Sequence, residues 1–203
     1  MKGLHGPETF DTRRENGSIV PAFLAVIEEI VKLIPGKPIR FVVNSHQHFD
    51  HVAGLRTYLH IGSTIITHWK NFDFYNKDVL NFAPRTLNPD MVSLWPPTEL
   101  AEGYYYELLR ENYVLSDGTR NLNLFYLHPL QHVEGMVIAY LPKERILIEA
   151  DVVNTGAPLP STATRDQTSL FNAVKTLKLD PVTIVPVHGH PLPWADFARI
   201  VKP

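Results

Sequence analysis

Between Pro21 and Pro35-Gly36 the apolar residues Phe23, Leu24, Ile27, Ile30, Val31 and Ile34 recur at helical spacing, which predicts an amphipathic helix over 21–34. IRFVVNSH (39–46) follows as the short apolar run of a buried strand, and HVAGLRTYL (51–59) reads as a short helix beginning directly after a His/Asp cluster. STIIT (63–67) predicts a second strand, HWKNFDFYNKDVLNF (68–82) a helix, and PRTLNPDMVSLWPPTEL (84–100) a proline-punctuated loop pinned to the core by Met91 and Trp95. The second half is strand-rich. NYVL (112–115), NLNLFYL (121–127), MVIAYL (136–141) and RILIEAD (145–151), with turns at 116–119 and 142–144, read as successive hairpins. A helix over 168–179, a strand VTIVPV (182–187) and a last helix over 194–201 close the pattern. This order predicts two sheets flanked by helices.

With 203 residues, 44% of them hydrophobic and 20% charged, the chain suits one globular domain over 1–203, and no repeat or linker divides it. Its apolar runs fall short of the ~20 residues that span a bilayer, so no membrane role is expected. Nineteen Lys and Arg against 21 Asp and Glu leave a net charge of −2, which lacks the basic footprint of a nucleic-acid binder. The N-terminus shows no apolar signal core, making cytoplasmic the default location. Because cysteine is absent, a thiolate nucleophile, a disulfide framework and Cys-ligated zinc are excluded, and any metal must be held by His, Asp or Glu. Neither a G-x-S-x-G elbow nor a phosphate-binding loop occurs.

Ten histidines are a generous supply, and their positions matter more than their number. In His46-Gln47-His48-Phe49-Asp50-His51 the first two imidazoles lie two residues apart just past a strand, so extended backbone turns both to one side and toward one ion. Asp50 and His51 follow where the chain turns into a helix, able to present a carboxylate and an imidazole to an adjacent ion. His132, Asp151 and His188 stand at other strand ends. The expected assignment is His46, His48 and His132 to one ion and Asp50, His51 and His188 to the other. Asp151 bridges them, since two cations about 3.5–4 Å apart need a shared anionic ligand.

These residues resemble the metallo-β-lactamase superfamily. The likeness rests on H-x-H-x-D-H at 46–51, His132-x-x-Gly135 before a strand, Tyr140-Leu141-Pro142 leading to Ala150-Asp151, and His188-Gly189; it spans roughly residues 38 to 190. It implies an αβ/βα sandwich of two mixed β-sheets flanked by helices, with the metals at one edge of the paired sheets. It also implies a zinc-dependent hydrolase. Val152 after Asp151, together with the absence of cysteine, favours the likeness to glyoxalase II, lactonases and related esterases over the β-lactamases. Family members commonly place several strands before the signature, whereas 45 residues precede His46 here. The first sheet is therefore expected to be incomplete and its open edge covered by another subunit in a homo-oligomer.

The expected function is a dinuclear zinc hydrolase in which metal-bound hydroxide attacks a small carbonyl substrate (lactone, ester, thioester or β-lactam), with Asp50 orienting or deprotonating the nucleophile. Iron and manganese suit the same ligands. The alternatives are an iron-dependent sulfur-oxidising or redox member of the fold, and a non-catalytic metal-binding remnant or interaction module. Asp50 as a helix N-cap is the bland reading of that residue. His5, His60, His68 and His128 are read as core or surface residues, His190 as a neighbour of the ligands, and Tyr104-Tyr105-Tyr106 as sheet packing.

Overall fold

The computed structural model describes residues 22–79, 90–94 and 105–201. Two compact units divide between Arg40 and Phe41. In the first, α1 (Ala22–Leu33) forms on the predicted apolar stripe and carries Lys32 in its last turn, where a cation meets the negative end of the helix dipole. From Phe41 onward the described chain belongs to the second unit.

That unit contains two sheets. The smaller has the order β1-β2-β3, built from β1 (Phe41–Val43), β2 (Thr64–His68) and β3 (Tyr106–Leu109), with both pairings parallel. The larger contains β4 (Asn112–Ser116), β5 (Asn121–Tyr126), β6 (Val137–Leu141), β7 (Ile146–Glu149), β8 (Thr183–Pro186) and β9 (Leu192–Pro193), in sequence order. β4 to β7 form the expected antiparallel meander, β8 adds parallel to β7, and β9 returns antiparallel.

Period-two alternation builds the layers. Along β6, Val137 and Ala139 face the smaller sheet and pack with Ile66, Leu109 and Leu124. Ile138 and Tyr140 face the other way, into a cluster with Leu170, Phe171 and Val174 of α6 (Arg165–Thr176) and Phe197 of α7 (Trp194–Val201). On the far side of the smaller sheet, Ile65 packs with Val52, Leu55 and Leu59 of α2 (Phe49–Val52) and α3 (Leu55–His60). Helices, sheet, sheet and helices therefore stack in that order, and each fully buried Leu or Ile contributes about 1.5–3 kcal/mol.

Several elements differ from the sequence reading. The strand expected over 39–46 pairs only over Phe41–Val43, because the chain leaves the sheet to form the His-rich turn. The single helix expected over 51–59 is two, separated at Ala53-Gly54, as glycine weakens a helix interior. Over 68–82 the described residues change pitch: a 3-10 turn at Trp69–Asn71, α4 (Phe72–Phe74) and a π-helical turn at Tyr75–Val79. Within the expected 84–100 loop, α5 (Met91–Leu94) is helical, and Asp90 accepts from Ser93 N–H at its start. Trp95 and Tyr104 lie outside the described residues.

Four turns at one end of the sandwich carry the His and Asp cluster. Val137 N–H at the start of β6 donates to Ser45 O (2.8 Å), joining the His46 turn to the larger sheet. After β7 the chain reverses with Asp151 at φ 65°, a left-handed conformation that Asp tolerates better than most residues. Glu149 supports this reversal: its Oε2 accepts from Val152 N–H (3.0 Å) and Val153 N–H (3.2 Å), while the residue is only 2% exposed and Oε1 has no partner. The segments after Asp151 and His188 meet at Gly189, whose φ is 111° and where a Cβ would lie 2.6 Å from Gly156 N.

Two outcomes are expected. Gly189→Ala should lower stability by at least about 1–3 kcal/mol, read in urea unfolding, since it combines a disfavoured φ with a collision against backbone. Burial pushes the Glu149 carboxyl up to about 8, against the pull of the Val153 and Val152 N–H bonds. The unfolded chain loses that proton near the ordinary value of 4.5, so the contribution of Glu149 to the stability of the metal-free protein is lost as pH rises from there to about 8; His46, lowered to about 4, opposes this up to its ordinary 6.5, and the net fall is expected between about 6.5 and 8. Glu149→Gln should flatten this part of the stability curve in thermal melts at pH 6.5 and pH 8.

Candidate metal centre

The local chain direction explains how His46, His48, Asp50 and His51 come together. Beyond β1, the extended His48 (φ −67°, ψ 150°) precedes the first turn of α2, and Val52 N–H donates to His48 O. His48 is therefore the N-cap residue and makes no side-chain cap. This corrects the bland reading of Asp50, which sits inside the first turn and does not cap the helix. Asn44 Nδ2 donates to His51 O (2.8 Å), and the buried Tyr75 hydroxyl donates to Asn44 Oδ1, tying the end of the turn to the π-helical segment.

All seven side chains singled out in the sequence meet here, in two groups. His46, His48, His132 and Asp151 form one, and Asp50, His51 and His188 the other; within each, the donor atoms lie within 4.8 Å of one another. His46 Nε2 is 3.0 Å from His48 Nδ1. Asp151 Oδ2 lies 3.1 Å from His46 Nε2, 3.1 Å from His51 Nε2 and 2.9 Å from His132 Nε2, and Oδ1 lies 3.1 Å from His188 Nε2. Asp50 Oδ2 stands 3.5 Å from His51 Nε2 and 3.4 Å from His188 Nε2. One carboxylate thus touches an imidazole from every turn that carries one.

This donor set fits divalent metal. Ligand nitrogens held about 2.0–2.1 Å from a tetrahedral zinc stand about 3.3 Å apart, close to the separations within each group. Three ring nitrogens converge on one oxygen, Asp151 Oδ2, which cannot accept good hydrogen bonds from all of them; a shared cation resolves that crowding. Each ligating imidazole also needs a partner on its other nitrogen. His46 Nδ1 has one in Ser45 Oγ at 3.1 Å.

The electrostatics follow from burial and crowding. His46 is lowered to about 4, chiefly by burial and then by His51, so its ring is neutral at neutral pH, the form a ligand needs. For Asp151, burial acts upward, but His51 and His46 outweigh it and hold the carboxyl below its ordinary value. Asp50 is the accessible acid, with 41% of its side chain exposed.

The other histidines join neither group. His60 ends α3; His68 is buried, its Nε2 donating to Arg110 O (2.8 Å), and its ring stacks on Tyr126, which stacks on His128. His190 is tied through its backbone to Thr155 Oγ1. His5 lies outside the described residues. Sequence reading missed the supporting groups Asn44, Ser45, Glu149 and Asp166. Only Glu149 left a signal, an acid set in the apolar run ILIEA. Asn44 and Asp166 bond backbone atoms of other turns, and Ser45 bonds the ring of the next residue.

Comparison with known proteins places this geometry. The sequence model of the metallo-beta-lactamase superfamily matches residues 21–190. No curated protein sequence matches the chain. Among solved structures, a metallo-beta-lactamase from Pontibacter korlensis is similar at 14% identity and a TM-score of 0.60, over 86% of this chain and 73% of that one. A flavodiiron protein from Giardia intestinalis is similar at 16% identity and a TM-score of 0.61, over 88% of this chain but 46% of that one. The peroxy diiron species of the chemotaxis sensor ODP is similar at 16% identity and a TM-score of 0.59, over 89% of this chain and 76% of that one. At these identities the structures share a fold with this chain, and no helix among its described residues is long and apolar enough to cross a membrane. With the match to the family model covering most of its length and its two layered sheets sharing the fold of these structures, the chain belongs to the metallo-beta-lactamase superfamily.

Proposed function

We propose that this protein is a dinuclear zinc-dependent hydrolase acting on a small carbonyl substrate such as a lactone, ester, thioester or β-lactam. The observation that carries the reading is the position of Asp151, whose Oδ2 contacts His46, His132 and His51 and whose Oδ1 contacts His188, so that one carboxylate touches members of both groups. A carboxylate placed so is the bridge that two neighbouring cations require. His46, His48 and His132 would hold one ion and Asp50, His51 and His188 the second. Zinc bound there would supply Lewis acidity, lowering the pKa of water toward about 7 and polarising a carbonyl.

The remaining chemistry belongs to the chain. Asp50, the most exposed acid of the cluster, orients the attacking water and accepts its proton at a carboxylate oxygen. Neutral His46 contributes a lone pair instead of a proton, and Ser45 Oγ holds its other ring nitrogen. Similarity in fold to both a metallo-beta-lactamase and a flavodiiron protein favours one second reading, an iron-dependent redox activity on the same ligands.

Elemental analysis of protein purified without added metal separates these readings. About two zinc per chain is expected; iron in their place would favour redox chemistry, and absence of any transition metal after reconstitution would overturn both. On the substrate to which the zinc protein responds, Asp50→Ala should reduce kcat by at least about a hundredfold while leaving the circular dichroism spectrum unchanged.

A further inference from the structure

We infer that Asp166 is a positioning residue for the metal-binding end of the loop that carries His132, an assignment that rests on the dinuclear reading above. Asp166 lies in the first turn of α6, and its two carboxylate oxygens leave the helix for a distant segment. Oδ1 accepts from Gln131 N–H (2.8 Å) and Oδ2 from His132 N–H (3.0 Å). Charge-assisted bonds of this kind are roughly twice as strong as neutral ones. They fix the backbone at the residue whose Nε2 stands 2.9 Å from Asp151 Oδ2.

The helix does not need Asp166 as its cap. Thr164 Oγ1 accepts from Gln167 N–H (3.2 Å) and Gln167 Oε1 accepts from Thr164 N–H (2.9 Å), a complete capping box. Two other polar ties act at the loop's far end, where Asn71 Nδ2 donates to Gly135 O (2.9 Å) and Lys70 pairs with Glu134 at 3.2 Å, while Leu130 and Val133 pack on the core without bonding the His132 backbone. Neither polar tie reaches the His132 backbone. Without Asp166, two N–H groups lose their acceptors and the imidazole loses its fixed point, while α6 keeps its start.

Selectivity follows, because His132 belongs to one of the two groups. The test is competition titration of metal-free protein with zinc alone, with melting of the metal-free forms recorded alongside. Wild type is expected to take two equivalents. Asp166→Ala should bind one as wild type does and the other about 10–100-fold more weakly, the usual effect of removing a group that supports a ligand. Thr164→Ala, which breaks the helix cap but leaves Asp166 in place, should lower the melting temperature and leave both affinities intact. If Asp166→Ala binds both equivalents like wild type, or loses both alike, the assignment is overturned. If wild type takes up no zinc, the dinuclear reading falls and this assignment with it, and the wild-type titration shows which has failed.

Discussion

The site depends on one crowded carboxylate. Asp151 is approached by four imidazoles from three other turns, and that approach requires a left-handed backbone at Asp151 and close passage of the chain at Gly189. Ring nitrogens about 3 Å from a single oxygen cannot all be satisfied by protons, because neutral imidazole offers one N–H and the oxygen two lone pairs. Much of the local structure serves to hold groups where they would otherwise spread apart.

The holding is done by polar side chains acting on backbone atoms. Glu149 grips the reversal after β7, Asn44 the end of the His51 turn, and Thr155 the segment after His188. Such bonds to main chain fix where a side chain's Cα sits, whereas a bond to a ring holds its orientation, as Ser45 does for His46. Burying Glu149 carries an energetic cost, visible in its raised pKa, and the cost is tolerated where the backbone must reverse sharply.

Much of the fold was legible because strands β4 to β8 follow hydrophobic runs with strong turn signals between them. The His and Asp cluster was legible for a related reason: four of its members lie within six residues. Elements whose identity depends on tertiary pairing were not. β3 (Tyr106–Leu109), of which the sheet-packing reading of Tyr104-Tyr105-Tyr106 touched only the first residue, contains Glu107 and pairs with a strand about 40 positions earlier, and β9 is two residues of which one is proline. The pitch changes after β2 were hidden because α, 3-10 and π turns bury nearly the same stripe of residues. Asp166 was invisible as a support because its partners are backbone N–H groups of a distant segment, and Asn44 because one partner is a backbone carbonyl and the other the hydroxyl of Tyr75, 31 residues away.

The sequence separation across the cluster has a kinetic meaning. His51 and Asp151 are 100 residues apart, and His51 and His188 are 137 apart. Contacts this remote form late, after loop closure has been achieved and the meander has been laid down. A nascent chain carries the His46–His51 turn long before β8 exists, so an ion met early would find only the local donors. The seven side chains come together only when the segment ending at His188 docks beside β7. A metal bound across both groups would therefore be a lock applied to a nearly finished fold, rewarding the docking of the last parallel strand, and not a nucleus around which the chain first gathers.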